Sequence, residues 1–180
     1  LDAPGLDEVE ALVCYRLPAG ACAKLPNLKL VCASAAGVDK ILGVADLPPQ
    51  VPVARIVDPA QNLQIAQYVA MAALEHLRQR ALYASQQAAK SWTRHPIPAP
   101  DGTTVGILGM GEAGQVVARA LRGLGLRVAG WSRSPRSVEA VTMHHGAEGL
   151  EACLAQANVL VCLLPLTADT HGLLDRARLS

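Results

Sequence analysis

Thr104-Val105-Gly106-Ile107-Leu108-Gly109-Met110-Gly111-Glu112-Ala113-Gly114, continuing into QVVARALRGL (115–124), is the stretch on which the fold turns. An apolar, β-prone run passes through glycines spaced G-x-G-x-x-G into an amphipathic helical pattern. Alone, that glycine spacing is weak; between a strand and a helix it has the setting that gives it meaning. Each glycine then has a physical task. Gly109 permits the tight turn, Gly111 lets backbone approach a pyrophosphate, and Gly114 lets the helix pack closely on the strand. The helix N-terminus offers unpaired N–H groups and a partial positive charge to phosphates. A plain turn explains one glycine, not three in register.

Downstream, the next strand, Arg127–Ser132, bears on which dinucleotide is bound. NAD-preferring sites place Asp or Glu near its end to hydrogen-bond the ribose 2′-hydroxyl. This chain has Trp131-Ser132-Arg133-Ser134-Pro135-Arg136 there, and no carboxylate between Glu112 and Glu139. Hydroxyls and guanidinium groups attract a 2′-phosphate that a carboxylate would repel, so the expected cofactor is NADP rather than NAD. A third strand, Val159–Leu164, stops at Pro165, where ligands of open α/β sheets bind. Upstream, Ala11–Tyr15, Leu28–Ala33 and Val53–Val57 read as further strands, most of them apolar on both faces as in parallel sheets under helices. The class expected is therefore α/β. Ser34-Ala35-Ala36-Gly37-Val38-Asp39, after the second of these, could turn successive N–H groups toward a carboxylate or phosphate; a plain β-to-α turn fits as well.

Two breaks divide the chain: Asp58-Pro59, and the proline-rich His95–Asp101. Between them runs a helical pattern with Leu63, Ala66, Ala70, Ala73, Leu77 and Ala81 on one face, about 45 Å long if unbroken. Such a helix could cross between lobes or meet a second subunit; an ordinary kinked surface helix is the other reading.

Composition narrows the class. Of 180 residues 51% are apolar and 17% charged, which excludes disorder, and the net charge of +1 removes the usual case for nucleic acid or an anionic membrane. No apolar run reaches the ~18–20 residues that span a bilayer. The first ten residues carry four acids and no h-region, so they do not read as a signal peptide. The five cysteines include no C-x-x-C pair; Cys14, Cys32 and Cys162 read as small buried hydrophobes in a reducing cytoplasm. No metal site is expected. The chain starts at Leu1 and stops at Ser180 after a helix-like opening, and we expect it to be part of a longer protein.

Four blocks in order, LPNLKLVCASAAGVDKIL (25–42), VGILGMGEAG (105–114), VAGWSRSP (128–135) and LVCLLPLTADTHGLL (160–174), resemble the D-isomer-specific 2-hydroxyacid dehydrogenases, with the closest likeness to their glyoxylate/hydroxypyruvate reductase branch. The resemblance implies a Rossmann doubly wound sheet over residues 61–180, with part of its C-terminal end missing, and part of a flavodoxin-like substrate lobe over residues 1–60. It implies that backbone amides at Ala36, Gly37 and Val38 bind the substrate carboxylate. Gly109 and Gly114 would shape the loop, and amides at Met110, Gly111, Glu112 and Ala113 would hold the pyrophosphate. Ser132, Arg133, Ser134 and Arg136 would hold the 2′-phosphate, and Leu164, Pro165 and Thr170 would line the nucleoside side. The long helix resembles an element that forms homodimers. The implied reaction is reversible hydride transfer between NADP(H) and a small 2-keto acid. The family's substrate-clamping Arg, acid/base His and the Glu that tunes it lie beyond Ser180, and no catalytic residue is assigned in this chain. His144 and His145, expected in a loop, and His76, His95 and His171 match none of those positions. A non-catalytic, dinucleotide-sensing interaction module of the same fold is the alternative. Another Rossmann enzyme, such as a 3-hydroxyacid or imine reductase, is disfavoured by the SAAGVD block.

Overall fold

The computed structural model describes residues 3–180, and Leu1 and Asp2 lie outside the described residues. The chain forms two compact units. One joins residues up to Asp58 with Pro165–Leu173; the other joins Pro59–Leu164 with Leu174–Ser180.

In the first unit, β1 (Ala11–Cys14), β2 (Leu30–Ala33) and β3 (Val53–Arg55) form a wholly parallel sheet in the order β1-β2-β3. Val31 and Ala33 point into a core with Leu17, Ala21, Leu25, Leu28, Ile41 and Val51. The opposite face differs from the expectation that most strands are buried on both sides: Val13 is 70% exposed and Leu30 36%. The helix that follows β2, α1 (Asp39–Leu42), is a single turn.

The second unit holds β4 (Thr104–Leu108), α4 (Glu112–Gly123), β5 (Arg127–Ser132), β6 (Thr142–His145), α5 (Gly146–Gln156) and β7 (Val159–Cys162). Its sheet is also wholly parallel, ordered β6-β5-β4-β7. Leaving β4, the chain winds outward through β5 and β6, then returns to the other side at β7. With right-handed crossovers, α4 and α5 fall on opposite faces, which is the doubly wound α/β arrangement. The reversal between β4 and β7 makes their carboxyl ends the switch point where ligands of such sheets bind. Val105, Ile107 and Leu108 are fully buried, and Val117, Ala118 and Leu121 of α4 share one core with Val105 and Ile107.

Three expectations need correction. The long helix is not unbroken but takes the kinked alternative, as two helices, α2 (Pro59–Leu77) and α3 (Arg80–Ala88), parted where Gln79 takes a left-handed conformation at φ 51°. Ala66, Ala73 and Leu77 do face the core, joined by Val69, but Leu63 and Ala81 are exposed. Second, His144 and His145 lie on β6 rather than in a loop, paired in register with Trp131 and Ser132. The edge position of β6 explains the miss: with one neighbour and half-exposed side chains, it needs no apolar run. Third, Cys162, at the end of the other edge strand, is exposed, and Cys14 and Cys32 are only half-buried; the fully buried thiols are Cys22 and Cys153.

Candidate functional site

The loop after β4 is held by backbone. Gly109 sits at φ +100°, and a Cβ there would lie 3.0 Å from the Leu163 carbonyl carbon and oxygen, so conformation and space both require glycine. Its N–H donates to the Trp131 carbonyl at 3.0 Å, and the Leu163 N–H to Leu108 at 2.8 Å, tying β5 and the end of β7 to the turn. A Cβ at Gly114 would lie 2.2 Å from the Gly109 carbonyl oxygen. Gly111 is different. Its φ of −74° is open to any residue, yet nothing lies within 4 Å of where its Cβ would point. Helix α4 starts there without a side-chain cap, and the Gly111 carbonyl accepts from Gln115 N at 3.0 Å, so the N–H groups of Glu112, Ala113 and Gly114 precede the helical ladder. Open space over uncapped N–H groups at a dipole's positive end fits a pyrophosphate.

Met110 behaves unlike its exposed neighbours Gly111 and Glu112. Its side chain is 1% exposed. It fills a slot left by Gly130 of β5, where a Cβ would lie 2.8 Å from Met110 Cγ. Its carbonyl accepts from Arg136 Nη1 at 2.6 Å, with a longer contact from Gln115 Nε2 at 3.5 Å. Sequence reasoning missed both Gly130 and this use of Arg136. A glycine inside the strand Arg127–Ser132 was the signal for the first; nothing local signalled the second.

After β5, the Ser132 hydroxyl donates to the Ser134 carbonyl at 2.8 Å, closing the turn that presents Arg133, which is exposed. Leu164 is half-buried in this unit, and its backbone N lies 3.2 Å from the Cβ position of Gly109. Pro165 and Thr170 group with the first unit, where the Thr170 hydroxyl donates to the Pro165 carbonyl at 2.5 Å and accepts from Thr167 N at 2.8 Å.

In the first unit Ala36 and Gly37 are exposed and Val38 half-buried, just ahead of α1. The Val38 carbonyl accepts from Ile41 and Leu42 N–H groups at 3.0 and 2.9 Å. Asp39 Oδ1 lies 3.1 Å from the Cβ position of Gly37, so a carboxylate already stands beside this turn. Among the histidines, His144 Nε2 pairs with Gln156 Nε2 at 2.7 Å, and the His95 ring stacks edge-on against Tyr83. Burial pushes the Cys153 thiol up to about 11. Among the described residues no helix is long and apolar enough to cross a membrane.

A family model for the NAD binding domain of the D-isomer specific 2-hydroxyacid dehydrogenases matches residues 70–180. The glyoxylate/hydroxypyruvate reductase A of Yersinia enterocolitica is 37% identical over 159 residues, 86% of this chain and 51% of that protein. Among solved structures, a D-isomer specific 2-hydroxyacid dehydrogenase from Xanthobacter autotrophicus Py2, in complex with NADPH and MES, superposes with a TM-score of 0.91 at 36% identity, covering 98% of this chain and 56% of that one. An NADPH-dependent glyoxylate/hydroxypyruvate reductase from Sinorhizobium meliloti, in complex with NADP and sulfate, gives 0.87 at 38% identity, covering 94% and 53%. The chain spans about half the length of the curated relative it matches.

Proposed function

The chain belongs to the D-isomer specific 2-hydroxyacid dehydrogenases, and on that premise we propose that the whole protein is an NADP-dependent reductase of glyoxylate, hydroxypyruvate or a similar short 2-keto acid. The carrying observation is the cradle at Gly109–Gly114, in which Gly111 leaves open space over an uncapped helix start.

Amides of Met110, Gly111, Glu112 and Ala113 hold the pyrophosphate, while Gly109 and Gly114 set the turn and the close packing of α4. Ser132, Arg133 and Ser134 take the 2′-phosphate, supported by the absence of any acid between Glu112 and Glu139. Arg136 stands apart, its Nη1 already held by the Met110 carbonyl. Leu164, Pro165 and Thr170 line the nucleoside side. Ala36, Gly37 and Val38 receive the substrate carboxylate through backbone N–H groups. When bound, the nicotinamide supplies the hydride that reduces the C2 carbonyl. Residues 1–60 serve the substrate and residues 61–180 the cofactor. The protein works in the cytoplasm as a homodimer joined through α2 and α3; on α2, Tyr68 and Met71 are exposed apolar groups.

Following NADPH consumption by the whole protein with glyoxylate and with hydroxypyruvate tests this. Turnover faster with NADPH than with NADH is expected; no turnover with any short 2-keto acid refutes it.

A further inference from the structure

We propose that Arg136 is a positioning residue for the pyrophosphate loop, holding the Met110–Gly111 peptide so that its N–H faces the cofactor, rather than a reader of the 2′-phosphate. This presupposes that the second unit binds a dinucleotide. The Met110 carbonyl lies one residue before the carbonyl that opens the α4 ladder, so the helix offers it no regular donor. Arg136, 26 residues away, supplies one at 2.6 Å. Among the described residues no peptide bond is cis, and in a trans unit the C=O and the N–H point opposite ways. Fixing the Met110 carbonyl toward Arg136 therefore fixes the Gly111 N–H away from it.

The side chain of the same residue is pinned independently. Met110 is buried against Gly130 and lies near Gly114, with its Sδ 3.6 Å from where a Cβ of Gly114 would be. Carbonyl and side chain together leave this peptide one orientation. A guanidinium beside the start of a helix is unfavourable, because the dipole end there is already positive. An arriving pyrophosphate reverses that, so the placement helps any dinucleotide, with or without a 2′-phosphate.

Titrating NADPH and NADH separately into the wild-type protein, Arg136→Gln and Arg136→Lys decides the matter. In Arg136→Gln both dissociation constants should rise by about tenfold, leaving their ratio unchanged, as expected for a lost charge-assisted bond. Arg136→Lys, which keeps the charge and a donor, should recover most of that loss. A loss confined to NADPH, or no change for either cofactor, overturns the assignment. Binding of neither cofactor by the wild-type protein would instead defeat the dinucleotide reading. Amide hydrogen exchange over Gly109–Gly114 in the ligand-free protein then judges the clamp by itself: faster exchange in Arg136→Gln upholds it, and unchanged exchange overturns it.

Discussion

Replacing Gly114 with alanine adds one methyl group at the tightest approach in the cradle. The new Cβ would lie 2.2 Å from the Gly109 carbonyl oxygen, whereas ordinary contact begins near 3.4 Å, so more than an ångström must be found. Neither partner yields easily. The obstructing atom is backbone, and Gly109 is tied to β5 through its bond to Trp131. Helix α4 must lift from β4, at a cost of about 3 kcal/mol by the usual scale of overpacking. Alanine's better helix propensity offsets about 1 kcal/mol, leaving a net loss of about 2 kcal/mol and a drop in Tm of roughly 4–8 °C. The same substitution at Gly123, in the last turn of α4 with nothing within 4 Å, should stabilise by about 0.5 kcal/mol. At Gly111 it should leave stability within about 0.5 kcal/mol of wild type. NADPH affinity, however, should fall, because the methyl group enters the space proposed for the pyrophosphate. Urea unfolding of the three variants at constant m, with NADPH titrations alongside, separates these effects. Wild-type stability in Gly114→Ala, or wild-type NADPH affinity in Gly111→Ala, would refute the roles assigned to those glycines.

Other outcomes can be measured independently. Arg133→Asp places a negative charge where the 2′-phosphate is proposed to sit, so NADPH affinity should fall by at least about tenfold while NADH affinity changes little; equal losses would remove Arg133 from that role. Ala140 is exposed at φ 50°, a left-handed conformation that costs a Cβ about 1 kcal/mol, so Ala140→Gly should raise Tm by roughly 2–4 °C, and an unchanged or lower Tm would count against the strain. The Cys153 thiol keeps its proton to about pH 11 in the folded chain, against 9.0 when unfolded. Its contribution to stability is thus intact below pH 9 and is lost, by roughly 2–3 kcal/mol, as pH rises from 9 to 11. Urea midpoints of wild type and Cys153→Ala should converge over that range, and parallel pH curves would contradict the assignment.

What could be seen in the sequence was local. β4 and β5 have the bounds expected from their apolar runs, Thr104–Leu108 and Arg127–Ser132, and the three glycines take the places their spacing implied. Strand, turn and helix start lie within a dozen residues there, and the backbone demands of a tight turn are written into residue type at each position. The break at Gln79 was hidden because the apolar spacing runs on across it, whereas the left-handed conformation depends on tertiary context that includes the bond from its side chain to the Pro96 carbonyl. β6 was hidden because an edge strand is recognised by its neighbour β5 rather than by its own polar residues. Arg136 was legible as a cation in the turn after β5, but its partner was not. Which carbonyl a flexible guanidinium reaches is settled by how β5 and the glycine loop pack, over 26 residues of separation that no local pattern spans. The sequence by itself determined an α/β chain with a glycine turn between strand and helix; only the tertiary structure decided that the Met110 carbonyl meets Arg136 and its side chain fills the slot at Gly130, because both partners lie far along the chain.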